Sequence, residues 1–262
     1  MILTENNFPF KSYSRIISLV PSQTELLYYL GLDEEVIGIT KFCVHPANWF
    51  QNKTRVGGTK NINLKIVSDL NPDLVFANKE ENVKDQIEAI AAQCDVWVTD
   101  VNNLSEALQM INDVGQLTGT FEKAEGLAHL IQAGFDGLKN KLNSSSPIKA
   151  AYFIWQEPYM VVAGNTFIND IMKYCGLINI FQDSERYPQI ELEELIEKDC
   201  ELVLLSSEPY PFTKKHKDFF QKKLPGKKIL LVDGEMFSWY GSRLLKAVDY
   251  FNKLNLQINS SD

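Results

Sequence analysis

The stretch RIISLVPSQTELLYYLGL, Arg15 to Leu32, decides the fold. An apolar run at Ile16–Val20 reads as a buried strand, and Gln23–Leu30 as a helix that follows it after a very short turn. In a dinucleotide-binding unit that turn is rich in glycine, so that the backbone can approach a pyrophosphate. Here it is Pro21-Ser22-Gln23-Thr24, with no glycine. Ser22 and Glu25 have the spacing of a capping box, in which the hydroxyl takes a free helix N–H and the carboxylate reaches back, worth about 1 kcal/mol. Gly31 supplies the left-handed residue that closes a helix. The expectation is a helix whose first turn is closed by its own side chains rather than left open for a phosphate.

The alternation continues outward. Strands are expected at Val36–Thr40, Leu74–Ala77 and Val96–Thr99, with helices at Leu64–Leu70, Val83–Gln93 and Ser105–Leu117. A long helix at Phe121–Leu142 ends in the turn formers Asn143–Pro147, and the pattern then restarts. Further strands are expected at Ala150–Trp155, Val161–Ala163, Leu202–Ser206 and Ile229–Val232. Further helices are expected at Phe167–Cys175, Leu192–Lys198, Lys215–Lys222 and Ser242–Lys253. Strands alternating with helices imply an α/β protein with mainly parallel sheets covered on both faces. The division expected is an N-terminal lobe at 1–118, a connecting helix at 119–146 and a C-terminal lobe at 147–262. The halves echo each other: LKIVSDLNPDLVFA from Leu64 aligns without a gap with LEELIEKDCELVLL from Leu192. The alternative is that any two helix–strand units share such patterning.

Composition narrows the function. The 262 residues carry 26 Lys and Arg against 34 Asp and Glu, a net charge of -8, which repels nucleic acid. One basic segment, Lys214–Lys228, is either a solvated helix face or a docking patch for an acidic partner. The four cysteines, at 43, 94, 175 and 200, include no CxxC pair and read as small core side chains. No apolar run of about 20 residues is present to span a membrane. The first residues lack the pattern of a secretory signal, so the expectation is a cytosolic protein, or a periplasmic one whose signal has been trimmed.

Ligands of parallel sheets sit beyond the carboxyl ends of the strands. The segments found there are Lys41–Phe50, Asn78–Asn82, Gln156–Met160, Ser207–Phe212 and Asp233–Arg243. They are rich in aromatic residues and proline, which suits a large, flat, partly apolar ligand. Phe42, Trp155, Tyr159, Trp239 and Tyr240 are candidates for stacking, or else fill apolar interiors. Lys41, Lys60, Lys79, Asn78 and Arg243 are candidates for the ligand's amides or carboxylates. The three histidines, His45, His129 and His216, lie far apart. Only His45 falls in such a loop, where it is either an axial ligand to a bound metal or a loop residue before Pro46. No GxSxG, Walker or GxGxxG motif occurs.

In order and spacing, RIISLVPSQTELLYYLGL, VGGTKNINLKIVSDLNPDLVFA, VVAGNTFINDIMKYCGLINIF and MFSWYGSRLLKA resemble the periplasmic binding protein family for vitamin B12, haem and iron-siderophores, the type with a helical backbone. The resemblance covers Arg15 to about Phe251. It implies two Rossmann-like lobes bridged by one long helix, with a corrinoid, haem or iron-siderophore bound between the lobes and little closure on binding. It also implies a non-catalytic solute-binding component of an ABC importer. Two departures stand out. The vitamin B12 member has a tryptophan where this chain has Thr59. The glutamates that meet permease arginines align with Lys65 and Lys222, which argues for a different permease or a repurposed binder. No intrinsic cofactor is expected. The alternatives are a chelatase-like enzyme acting on a tetrapyrrole, with His45 facing Glu80 or Glu235, and an interaction protein that uses the lysine-rich segment.

Overall fold

The computed structural model describes residues 1–3, 9, 11–142 and 146–260. Of the expected turn at Asn143–Pro147, residues 143–145 lie outside the described residues. Two compact units emerge. The first takes Met1–Val101, Ser105–Ile131 and Trp239–Arg243; the second takes Asn102–Leu104, Gln132–Ser238 and Leu244–Asp262.

The first unit is built from β1 (Ile2–Leu3), β2 (Ile16–Ser18), α1 (Pro21–Leu30), β3 (Val36–Ile39), α2 (Ala47–Asn52), β4 (Thr54–Arg55), α3 (Leu64–Leu70), β5 (Leu74–Asn78), α4 (Lys84–Ala91) and β6 (Asp95–Thr99). After these come most of α5 (Leu104–Thr118) and the first half of α6 (Phe121–Leu142). Its six strands run in the order β1-β6-β5-β2-β3-β4, all parallel. After β1 at one edge, the chain enters β2 near the middle, moves out to β4 and returns to the other side of β2 at β5. The switch point is therefore at the carboxyl ends of β2 and β5, where open α/β sheets place their ligands. Ile17, Leu19, Val75, Ala77 and Val96 are buried in one cluster against α3 and α4.

Helix α1 starts earlier than its sequence suggests. Pro21 occupies the first helical position, where a missing N–H costs nothing, and Val20 is the N-cap without any side-chain cap. Ser22 and Glu25 thus lie inside the helix and form no capping box. Thr24 Oγ1 instead donates to Val20 O at 2.9 Å and lies within hydrogen-bond distance of Ser18 Oγ, at 2.8 Å. Gly31 closes the helix at φ 93° as expected.

The second unit contains the rest of α6, then β7 (Ile148–Trp155), β8 (Met160–Val161), α7 (Phe167–Tyr174), β9 (Leu177–Asn179), α8 (Glu194–Glu197), β10 (Leu202–Ser206), α9 (Lys214–Lys223), β11 (Lys228–Val232), α10 (Gly234–Ser238) and α11 (Leu244–Asn259). Its sheet runs β11-β10-β7-β8, and β9 also pairs with β7. Only β8 is antiparallel. Phe153, Val203, Leu205 and Phe220 anchor its core.

The echo between the halves has a structural counterpart. Asn71 and Asp199, at matching positions after α3 and α8, both have positive φ, 46° and 51°. Two residues later, Asp73 accepts from the backbone N–H groups of Ser14 and Arg15 ahead of β2, and Glu201 accepts from Lys149 N at the start of β7. In each unit the same carboxylate position pins the central strand.

Candidate functional site

In the first unit, the loop after β3 is held down by Cys43. Its Sγ lies 3.1 Å from both Thr24 Oγ1 and Thr40 Oγ1, and burial pushes the thiol up, so Cys43 packs rather than reacts. Pinning this residue turns its neighbours outward. Phe42 is 50% exposed, with the Lys41 ammonium 5.1 Å from its ring centroid. The next loop is drawn alongside by Lys41 N, which donates to Gly57 O at 2.8 Å. Gly57 has φ 109°, and a Cβ there would meet Asn61 O at 2.5 Å, so only glycine fits. Thr59 is buried in this loop, and Lys60 Nζ hydrogen-bonds Glu80 O.

The loop after β5 is organised by Asn78. Its Oδ1 accepts from the N–H groups of Glu80 and Glu81, and its Nδ2 donates to Thr99 O at 3.0 Å. Asn82 Oδ1 accepts from Asn78 N, and Asn82 Nδ2 donates to Thr59 O. Asn78, expected to meet a ligand, is thus buried and committed to its own loop. Lys79 forms an ion pair with Asp100 at 2.7 Å.

Burial is the largest influence on Glu81 and raises its carboxyl; Glu80 adds to this, while Lys60 and a hydrogen bond with Thr59 oppose it. An acid whose folded value is raised binds its proton more tightly when folded. Its folded form is therefore favoured at low pH and loses stability as pH rises from the ordinary glutamate value of 4.5 through the folded value. Glu81→Gln is expected to raise the melting temperature at pH 7 and leave it little changed at pH 4. Equal shifts at both values would contradict this account of Glu81.

The segment Trp239–Arg243 belongs to the first unit, although α10 and α11 on either side of it belong to the second. All four of its side chains are buried. The Trp239 ring meets His45 edge to face, with centroids 5.5 Å apart. Tyr240 hydrogen-bonds Ser22 and Thr99, and burial followed by Glu81 raises its phenol. Arg243 Nε donates to Glu25 Oε2 at 2.8 Å, with the two side chains only 6% and 11% exposed. Arg243, expected to reach a ligand, is thus buried, with its guanidinium facing a carboxylate of its own unit.

In the second unit, Trp155 is 40% exposed and stands edge-on to Tyr210 at 5.6 Å. Tyr210 Oη contacts His216 Nε2 at 3.2 Å, and His216 Nδ1 accepts from Thr213 N at 2.9 Å, which places the imidazole proton on Nε2. Tyr159 packs on Phe153 and Phe220, and borders a cavity of about 340 Å³ that Glu157, Gln189 and Glu191 also line. Lys65 is exposed on α3 and pairs with Asp69 at 2.6 Å, and Lys222 is exposed on α9.

Sequence reading gave no role to Gln23, Thr99 and Tyr210. Gln23 Nε2, in the first turn of α1, donates to Thr99 Oγ1 at the end of β6 at 2.6 Å, and both side chains are buried. No spacing rule links residues 76 positions apart. Among the described residues, no group of three or more His, Cys, Asp and Glu is placed to hold a metal ion, and no helix is long and apolar enough to cross a membrane.

A vitamin B12-binding protein of Vibrio campbellii is 26% identical over 208 residues, 79% of this chain and 75% of its own length. The solved periplasmic vitamin B12 binding protein of Vibrio cholerae superposes with a TM-score of 0.80 at 21% identity, covering 95% of this chain and 99% of that one. A solved structure described as a possible iron-binding (periplasmic solute-binding) protein, from Staphylococcus epidermidis, gives a TM-score of 0.80 at 23% identity, covering 95% and 100%. At these identities the superpositions establish the fold. The profile of the family described as "Periplasmic binding protein" matches residues 16–226. The chain belongs to the periplasmic binding protein family, whose members bind solutes and catalyse no reaction.

Proposed function

We propose that this chain is the solute-binding component of an ABC importer and that its solute is a corrinoid, with haem or an iron-siderophore as the other members of the class. The observation that carries this reading is the rim at the end of β3: an exposed Phe42 under a lysine, followed by His45 in T-shaped contact with Trp239. Aromatic faces beside cationic groups suit a flat macrocycle edged with amides or carboxylates. The vitamin B12-binding relative supports the corrinoid. Covering roughly 300 Å² of apolar ligand surface contributes about 7 kcal/mol before association costs, so micromolar binding needs few further hydrogen bonds. In this reading Lys41, Phe42, His45, Lys60, Lys79 and Trp155 meet the solute. Thr59, Asn78, Tyr240 and Arg243 shape the surface behind it.

Cyanocobalamin and haemin, titrated separately, test the proposal through tryptophan fluorescence. Saturable quenching by at least one of them is expected, weakened at least about tenfold in Phe42→Ala and Trp155→Ala. No quenching by either would overturn it. His45→Ala settles coordination in the same experiment: a changed visible spectrum of the bound chromophore marks an axial ligand, and an unchanged one marks a packing residue. For the permease, Lys65 and Lys222 call for docking sites lined with carboxylates, because arginines there would meet like charge at a desolvated contact.

A further inference from the structure

The segment Trp239–Arg243 lies along one face of α1. Tyr240 reaches Ser22, a Cβ on Gly241 would lie 3.4 Å from Leu26 Cβ and from Ser22 O, and Arg243 reaches Glu25. Ser22, Glu25 and Leu26 are spaced i, i+3 and i+4, which puts them on one helical stripe. Gly241 turns the segment at φ 113°, a conformation that side chains rarely adopt. The same guanidinium that faces Glu25 has its Cζ 4.6 Å from the Trp239 ring centroid. Trp239 is thus held by two neighbours, a planar cation over its ring and the His45 imidazole at a T-shaped angle.

A buried ion pair is a poor means of stabilising a fold, since apolar side chains of similar volume do as well or better. What it supplies is geometry. Arginine's planar group can face a carboxylate and stack on an aromatic ring at once, and lysine cannot. We infer that Arg243 is a positioning residue for solute binding. Locked by Glu25, it fixes the bearing of the Trp239 ring, and through that ring the His45 edge, before any solute arrives. This inference rests on the solute-binding reading. It also explains why the first turn of α1 carries no glycine: that turn is covered by this segment and is not open to a phosphate.

The test uses the full chain labelled with 5-fluorotryptophan. Its four tryptophans give four fluorine lines, and Trp239→Phe identifies the one of interest. Arg243→Lys keeps a charge facing Glu25 but removes the planar group from the ring. The Trp239 line of the solute-free protein should shift or broaden, the other three should hold, and the affinity for cyanocobalamin should fall about tenfold. In a Trp239→Ala background the same substitution should change affinity less than about twofold, because its effect runs through the missing ring. Glu25→Asp, which keeps the pair but shortens one arm, should move the Trp239 line in the same way and serves if Arg243→Lys does not fold. An unmoved Trp239 line in these variants, or an undiminished affinity loss without Trp239, would overturn the positioning role. If the unaltered protein binds neither cyanocobalamin nor haemin, the solute reading fails by itself, and the fluorine line still decides whether Arg243 holds the ring.

Discussion

Glu25→Ala is expected to destabilise the folded chain by about 3–5 kcal/mol, the range found when one partner of a buried ion pair is removed. The Glu25 and Arg243 side chains are 11% and 6% exposed and meet at 2.8 Å, so water cannot take over the role of the lost carboxylate. The contrast with the surface is sharp. Lys65 and Asp69 are 82% and 62% exposed at a similar separation of 2.6 Å, and Asp69→Ala should cost no more than about 0.5 kcal/mol. Urea unfolding followed by circular dichroism measures both, with two transitions fitted if the two units unfold separately. The loss from Glu25→Ala should fall on the transition of the unit that holds β2 and α1. A loss under about 1 kcal/mol would mean that the site relaxes or hydrates, and that the segment Trp239–Arg243 is held by something else.

That pair also marks where sequence reasoning stopped. Glu25 three residues after Ser22 fits a capping box, and local spacing offers no reason to look elsewhere. The true partner lies 218 positions away, and Pro21 had already moved the helix start. Elements set by local periodicity were legible: α3, α6 and β10 have the bounds expected from their apolar patterns. Short edge strands were not. β1, β4 and β9 have two or three residues each and exist because a neighbouring strand pairs with them. Helix α2 lacks a periodic apolar face. Its only buried residue is Trp49, whose indole N–H donates to Asp33.

The site divides along the same line. Phe42 and Trp155 were singled out because they lie at strand ends, a position written in the chain, and both are exposed. The commitments of Asn78 and Arg243 were hidden because polar side chains look alike in sequence whether they face a ligand or their own backbone. Asn78 organises the turn after β5 through Glu80 N, Glu81 N and Thr99. Buried polar groups are nearly always satisfied from within, and that demand decided both residues.

Tyr159 is the residue for which this distinction matters most, and Phe153→Ala exposes it. Phe153 is fully buried on β7, in register with Leu205 on one side and Val161 on the other. Its ring stands edge-on to Phe220 at 5.0 Å and to Tyr159 at 5.9 Å. Deleting it removes a full aromatic side chain from the sheet's centre and leaves a cavity that β-strand neighbours cannot collapse into, a cost of about 3–5 kcal/mol. Phe153→Leu keeps most of the volume and should cost about half as much or less. Denaturation fixes those magnitudes, and a Phe153→Ala loss under about 2 kcal/mol would show that the core repacks around the gap. The two substitutions then sort the role of Tyr159. Tyr159 rests on Phe153 and Phe220 and borders an acidic cavity of about 340 Å³, so it closes the core of its own unit. On that account Tyr159→Phe, which keeps the ring and removes only the hydroxyl, leaves solute affinity unchanged within about twofold, while Trp155→Ala lowers it. A tenfold loss from Tyr159→Phe would instead put its hydroxyl on the solute, and the aromatic surface of the second unit would then extend from Trp155 to Tyr159.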